Sequence, residues 1–115
     1  MSNMSKYHSR KVRIENIVFD SQKEAQRYCE LKFLEKKGEI SQLQRQVPFE
    51  LIPAEVGADK KKLRSIVYLA DFVYLTEKNG VPQKHIEDVK GVKTAVYKLK
   101  KRLMWHLYRI NIEEV

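Results

Sequence analysis

Two apolar runs face each other across a tight turn between Ser65 and Gly91, and this stretch constrains the fold more than any other. It reads SIVYLADFVYLTEKNGVPQKHIEDVKG, with Asn79-Gly80 between runs rich in β-branched and aromatic residues. Asn-Gly suits a two-residue hairpin turn, because both positions there take positive φ. With Asn79 and Gly80 as the turn, Lys78 falls opposite Val81. Counting back then sets Asp71 opposite Asp88 and Leu69 opposite Lys90. Strand side chains alternate, so Asp71, Asp88 and Lys90 share one face and Glu87 takes the other. Opposed Cβ atoms lie roughly 5 Å apart. Two carboxylates at that separation repel by roughly 3 kcal/mol at an effective dielectric of about 20. A carboxylate inside an apolar strand is costly to bury without a partner. A divalent cation would turn the repulsion into attraction. Pro82 fits a ladder poorly, and a longer loop would shift the register.

The chain has 115 residues, the size of one small domain. Its net charge of +8 points to a polyanionic partner, most simply nucleic acid. Cys29 is the single cysteine, which excludes an internal disulfide and fits a reducing cytosol. No apolar run is long enough to span a bilayer, and the first residues lack a signal-peptide core, so a cytoplasmic location is expected.

Residues 1–10 read as a flexible basic arm carrying Lys6, His8 and Arg10, and residues 11–115 as a single domain. Lys11 to Phe19 alternates weakly and suggests a short hairpin turning at Glu15-Asn16, or an extended arm. Ser21 followed by Glu24 forms a capping box, and Gly38 stops the helix that ends near Lys37. Ala25, Tyr28, Cys29, Leu31, Phe33 and Leu34 spread over a wide apolar face. Glu24 falls between Tyr28 and Leu31 on the helical wheel and points inward. It is either a capping acid alone or a third carboxylate directed at Asp71 and Asp88. Ile40 to Ile52 reads as a strand, with Pro48 favouring an edge. Gln44 and Gln46 there read as solvent-facing residues, with substrate contact as the alternative. Pro53 to Arg64 is expected to be a loop whose Lys60, Lys61, Lys62 and Arg64 either are solvated or touch a phosphate backbone.

Thr94 caps a second helix running to about Tyr108. Val96, Leu99, Leu103 and Leu107 recur at helical spacing as its expected core stripe, widened by Tyr97, Met104 and Trp105. Lys93, Lys98, Lys101 and Arg102 give it a basic outer side. Arg109 to Val115 alternates as a last strand, which should run parallel to its neighbour after the helical crossover. The expected fold is therefore α/β, more narrowly a mixed α+β sheet with helices packed on it.

Asp71 and Asp88 supply hard oxygen ligands suited to Mg²⁺ or Mn²⁺, and the Val89 carbonyl could add another. Such a cation acidifies water and stabilises charge on a phosphoryl oxygen. Lys90 stands where it could orient that water or stabilise the transition state. The bland reading is an exposed Asp88/Lys90 pair at a strand end. His8, His85, His106 and Cys29 are dispersed and offer no zinc spacing. His85 reads as a strand residue beside the site. No glycine-rich phosphate loop is present.

Asp71, followed by Asp88-Val89-Lys90, resembles the PD-(D/E)XK nuclease motif, and the order helix, three strands, helix, strand resembles that superfamily's restriction-endonuclease-like αβββαβ core. FDSQKEAQRYCELKFLEKKGEI, YLADFVYL and IEDVKGVKTAVYKLKKRL resemble small phage proteins related to Holliday-junction resolvases and the endonuclease subunit of heteromeric transposases. The resemblance covers the chain from about Lys11. It implies a Mg²⁺- or Mn²⁺-dependent DNA endonuclease, structure-specific for junction or branched DNA, in the cytoplasm of a phage-infected bacterium. Asp71 would be the first metal-binding acid, Asp88 the second, Lys90 the catalytic lysine and Glu24 the acid of the first helix. Glu24, Asp71, Asp88 and Val89 would hold the metal. Lys6, Arg10, Lys11, Lys60, Lys61, Lys62, Arg64, Lys93, Lys98 and Lys101 would grip DNA, with RNA open as a substrate. A homodimer or a partner subunit is expected. Ala70 stands where the motif has proline, and Asp88 where glutamate is more frequent. The superfamily also contains inactive members, so the alternatives are a non-catalytic nucleic-acid-binding module and a subunit that meets an acidic protein.

Overall fold

A computed structural model describes residues 10–115. The expected arm is therefore described only at Arg10, which is exposed, and Lys6 lies outside the described residues. A short antiparallel hairpin, β1 (Val12–Ile14) and β2 (Ile17–Phe19), turns at Glu15 and Asn16, both at positive φ. Helix α1 (Gln22–Lys36) follows. The Ser21 hydroxyl caps it by accepting from the Glu24 N–H at 3.0 Å, and Gly38 at φ +81° releases the chain beyond it. Then come β3 (Ser41–Ile52), β4 (Glu55–Val56), β5 (Lys62–Leu63), β6 (Ile66–Lys78), β7 (Val81–Asp88), α2 (Ala95–Tyr108) and β8 (Glu113–Glu114).

The molecule is a mixed α+β domain with two helices among the described residues and a four-stranded sheet ordered β3-β6-β7-β8. β3, β6 and β7 are antiparallel, and β8 lies parallel to β7 after the α2 crossover. The segment Pro53 to Arg64 is not a plain loop: β4 and β5 pair within it as a two-stranded hairpin. The last strand is shorter than the alternation suggested, because the chain joins β7 only at Glu113 and Glu114.

The β6–β7 register matches the count made from the turn, with Lys78 opposite Val81 through to Phe72 opposite Glu87. Asn79 and Gly80 both adopt positive φ, and Pro82 enters the ladder opposite Glu77 without shifting it. The expected Leu69–Lys90 pair does not form. β7 ends at Asp88, and Leu69 pairs with Pro48 of β3 instead. The cause is local: the Val89 N–H donates to Asp71 Oδ2 at 2.8 Å, and the strand leaves the ladder there.

Asp71 also marks a change of side. Tyr68 and Ala70 pack in one hydrophobic cluster with Tyr97, Met104 and Ile112. Phe72 and Tyr74 pack in the other, with Phe19, Ala25, Tyr28 and Leu31. All four β6 residues share one parity, so an unbroken pleat would put them on one face. β3 does the same: Leu43 packs on the α1 cluster, while Val47 and Phe49 pack on the α2 cluster. The register carries Gln46 past Asp71 at this crossing, and Gln46 has φ +52°. The strand pair thus turns over where the acid sits.

Two helix faces differ from the sequence reading. On α1, Ala25, Tyr28 and Leu31 are buried, but Cys29 is exposed and Phe33 points to solvent. On α2, the regular stripe Val96, Leu99 and Leu107 is exposed, and Tyr97 and Met104 face the sheet instead. Spacing alone identifies a stripe without saying which side it faces. Leu99→Ala should therefore change stability by no more than about 0.5 kcal/mol. Met104→Ala should cost about 2–5 kcal/mol. Chemical denaturation of both variants checks the orientation.

Candidate active site

The turnover of the strands opens a cleft of about 490 Å³ lined by Lys11, Lys23, Glu24, Asp71, Val89 and Lys90, among others. Glu24 arrives from the first turn of α1 and is 4 % exposed. Its carboxylate reaches Gln46 and lies 3.8 Å from Arg45 Nη2. The Arg45 guanidinium is itself stacked 4.5 Å over the Phe19 ring. Asp71 arrives from the turnover point of β6. Its Oδ2 accepts from the Val89 N–H, and its Oδ1 accepts from Gln46 Nε2 at 3.3 Å. The same Nε2 donates to Glu24 Oε2 at 3.0 Å, so one amide bridges both carboxylates.

Asp88 is buried at the end of β7, one residue before the cleft-lining Val89. The Tyr68 hydroxyl donates to its Oδ2. Its Oδ1 accepts no hydrogen bond, although Lys90 Nζ lies 3.3 Å away. The Lys90 ammonium also sits 4.7 Å over the Tyr97 ring, and Lys23 donates to the Lys90 carbonyl. Glu24, Asp71 and Lys90 therefore line one cleft, from α1, β6 and the link after β7, and Asp88 lies buried behind it, paired with Lys90. Among the described residues, no three His, Cys, Asp or Glu side chains already stand close enough to hold a metal. The chain's own donors fill the gaps: the Gln46 amide between Glu24 and Asp71, and the Lys90 ammonium beside Asp88.

Residues 4–113 match the family model described as "Protein of unknown function (DUF1064)". The chain belongs to the DUF1064 family. No curated protein and no solved structure matches it.

The electrostatics of this DUF1064 site follow from its burial. Desolvation, with Asp88 and Glu24 nearby, pushes Asp71 from its ordinary 3.8 up to about 6 against the opposing pull of the Val89 N–H and Lys90. Burial also raises Glu24, opposed by Arg45 and the Gln46 hydrogen bond. Burial and the hydrogen bond to Asp88 hold the Tyr68 hydroxyl protonated. An acid whose folded pKa is raised binds its proton more tightly in the native state. Its stabilising contribution is complete below 3.8 and is lost as pH rises through about 6. Urea unfolding with a chelator present should show stability falling across that window. Asp71→Asn should flatten the fall.

The basic residues divide into two groups. Lys11 and Lys23 line the cleft, and Lys60, Lys61, Lys62 and Arg64 are exposed on and beside the β4–β5 hairpin. Lys98 is exposed on α2. Lys93 and Lys101 are both tied to Glu114 at 2.8 Å. Those bonds, Lys101 foremost, pull Glu114 down to about 2. His85 is not beside the acids. It stacks on Tyr74 and bonds Thr76 and Glu113 at 2.7 Å, on the sheet face that also carries Glu87.

Sequence reasoning left Gln46 among the ordinary strand residues. Its partner position could have been found only from the β3–β6 register, which no turn between those strands fixes. Tyr68 and Tyr97, which support Asp88 and Lys90, carried no separate signal beyond being aromatic.

Proposed function

We propose that this chain is a metal-dependent endodeoxyribonuclease of the PD-(D/E)XK kind. The observation that carries the reading is the convergence of Glu24, Asp71 and Lys90 on one cleft edged with lysines, with the buried Asp88 paired to Lys90 behind it. The order α1, β3, β6, β7, α2, β8, with β4–β5 as an insertion, supports the restriction-endonuclease-like comparison. The donor set fits a hard divalent cation: carboxylate oxygens dominate it, and Asp88 Oδ1 is buried without a hydrogen bond. Asp71, Asp88, Glu24 and the Val89 carbonyl would hold Mg²⁺ or Mn²⁺. When bound, such a cation supplies a more acidic water and a positive charge for a phosphoryl oxygen.

The chain's own groups do the rest. Lys90 is held by Asp88 and the Tyr97 ring, so its ammonium is oriented before substrate arrives and can meet charge that develops on the phosphate. The Tyr68 hydroxyl fixes the Asp88 rotamer from the buried side. Lys11, Lys23 and the lysines of the β4–β5 hairpin supply phosphate contacts without reading sequence. Branched or junction DNA is the substrate class favoured by the resolvase-like motif set, and a second copy or a partner subunit would supply action on a second strand.

The test is incubation with linear duplex, branched and single-stranded DNA, and with RNA, in the presence and absence of Mg²⁺ or Mn²⁺. Cleavage that needs the cation and falls with rising salt is the expected result. With about five phosphate contacts, the log–log salt slope of duplex binding should be about −4 to −5. Salt-sensitive binding without cation-dependent cleavage would replace the nuclease by a non-catalytic nucleic-acid-binding module. Absence of binding at low salt would remove both readings.

A further inference from the structure

The proposed cation site contains a side chain outside the set Glu24, Asp71 and Asp88-Val89-Lys90. Gln46 sits in the middle of β3 at φ +52°, a left-handed conformation that a non-glycine residue seldom adopts within a strand. Its backbone turns where β3 and β6 change sides, and its side chain enters the site from there. Nε2 donates to Glu24 Oε2 at 3.0 Å and to Asp71 Oδ1 at 3.3 Å. Only the nitrogen end of the amide can serve, because Oε1 in that place would face two carboxylate oxygens.

We infer that Gln46 is a positioning residue whose amide stands in for the divalent cation, holding Glu24 and Asp71 together until the ion displaces it. The inference rests on the proposed metal site. An NH₂ group between two carboxylates presents positive hydrogen to both, as a cation presents its charge. The two occupants compete for the same oxygens. A cation must break both hydrogen bonds to bind, and the amide must rotate away from Glu24 and Asp71. In return, the carboxylates do not have to be gathered from solvent when the ion arrives. Gln46 thereby sets the cation concentration at which the site loads. It touches no substrate in this role.

The test is Mn²⁺ binding to the DNA-free protein, followed by electron paramagnetic resonance or calorimetry, for wild type, Gln46→Ala and Gln46→Gly. Both variants remove the amide, and glycine accepts the left-handed backbone without strain. Removing a competing charge-assisted hydrogen bond should tighten Mn²⁺ binding about tenfold in both variants. Asp71→Asn should weaken it and so locate the ion. Unchanged or weaker Mn²⁺ binding in both Gln46 variants, beside clear wild-type binding, overturns the stand-in role and leaves the metal site standing. No Mn²⁺ uptake by wild type or by either Gln46 variant overturns the metal site and this inference together.

Discussion

Asp88→Asn should lower Mg²⁺-dependent DNA cleavage about a thousandfold or more, because several kcal/mol of charge stabilisation at the phosphate is lost and each ~1.4 kcal/mol is tenfold in rate. DNA binding should stay at the wild-type level or rise slightly, since one negative charge near the lysine-edged cleft disappears. Asparagine keeps the shape of the side chain and can still accept from the Tyr68 hydroxyl, so the buried packing around β7 survives. The Lys90 ammonium loses its anionic partner 3.3 Å away, which removes both a proposed cation ligand and the group that orients the lysine. Asp88→Ala should be equally inactive but less stable, because the Tyr68 hydroxyl is then left buried without an acceptor. Asp71→Ala should behave like Asp88→Asn in cleavage. Wild-type cleavage rates in both Asp71→Ala and Asp88→Asn would remove these acids from the chemistry.

Arg27→Ala should be the most destabilising single change at a partly exposed position, at about 3–5 kcal/mol. Glu87 is only 1 % exposed, on the sheet face opposite Asp88. Arg27 reaches it from α1 as a two-pronged pair, Nε to Oε1 at 2.8 Å and Nη2 to Oε2 at 2.6 Å. The Tyr74 hydroxyl donates to the same carboxylate. Without the guanidinium, Glu87 keeps a buried charge with a single neutral donor. For a domain near 100 residues each kcal/mol is worth about 4–8 °C, so the midpoint should fall by about 12 °C or more. Thermal and urea unfolding read this directly. The triple change Arg27→Met, Glu87→Leu and Tyr74→Phe should recover most of the loss, because it removes every group that demands a polar partner. Failure of the triple variant to recover would mean that packing, not the stranded charge, set the cost.

The contrast between those two acids shows what could be read from the chain. Asn79-Gly80 is a turn with one geometry, so counting outward from it gave the pairing of β6 with β7 as far as Phe72 opposite Glu87, the last ladder pair before Asp71 and Asp88. The same count put Glu87 on the other face but carried no sign of Arg27, which reaches it from a different element. Ser21 and Thr94 announced both helix starts through their hydroxyls. Which side of α2 would meet the sheet was not legible, because Val96, Leu99, Leu103 and Leu107 form a more regular stripe than the buried Tyr97 and Met104. Gln46 was hidden for another reason. Its role depends on a left-handed backbone in the middle of a strand and on a partner strand whose register is fixed only by tertiary packing. Lys93 and Lys101 looked free for phosphate because Glu114, their shared partner, belongs to a two-residue strand beyond α2 that the alternation did not locate.

The hydrogen bond from the Val89 N–H to Asp71 Oδ2 ends β7, and it also wires the backbone to the charge of the site. A peptide proton aimed at a carboxylate is deshielded according to how much negative charge that carboxylate carries. The Val89 amide resonance is thus a built-in gauge of Asp71: protonation, or an ion drawing on the same carboxylate, alters its chemical shift without any label being added. Because Val89 immediately follows Asp88 and precedes Lys90, the gauge sits inside the Asp-Val-Lys run itself.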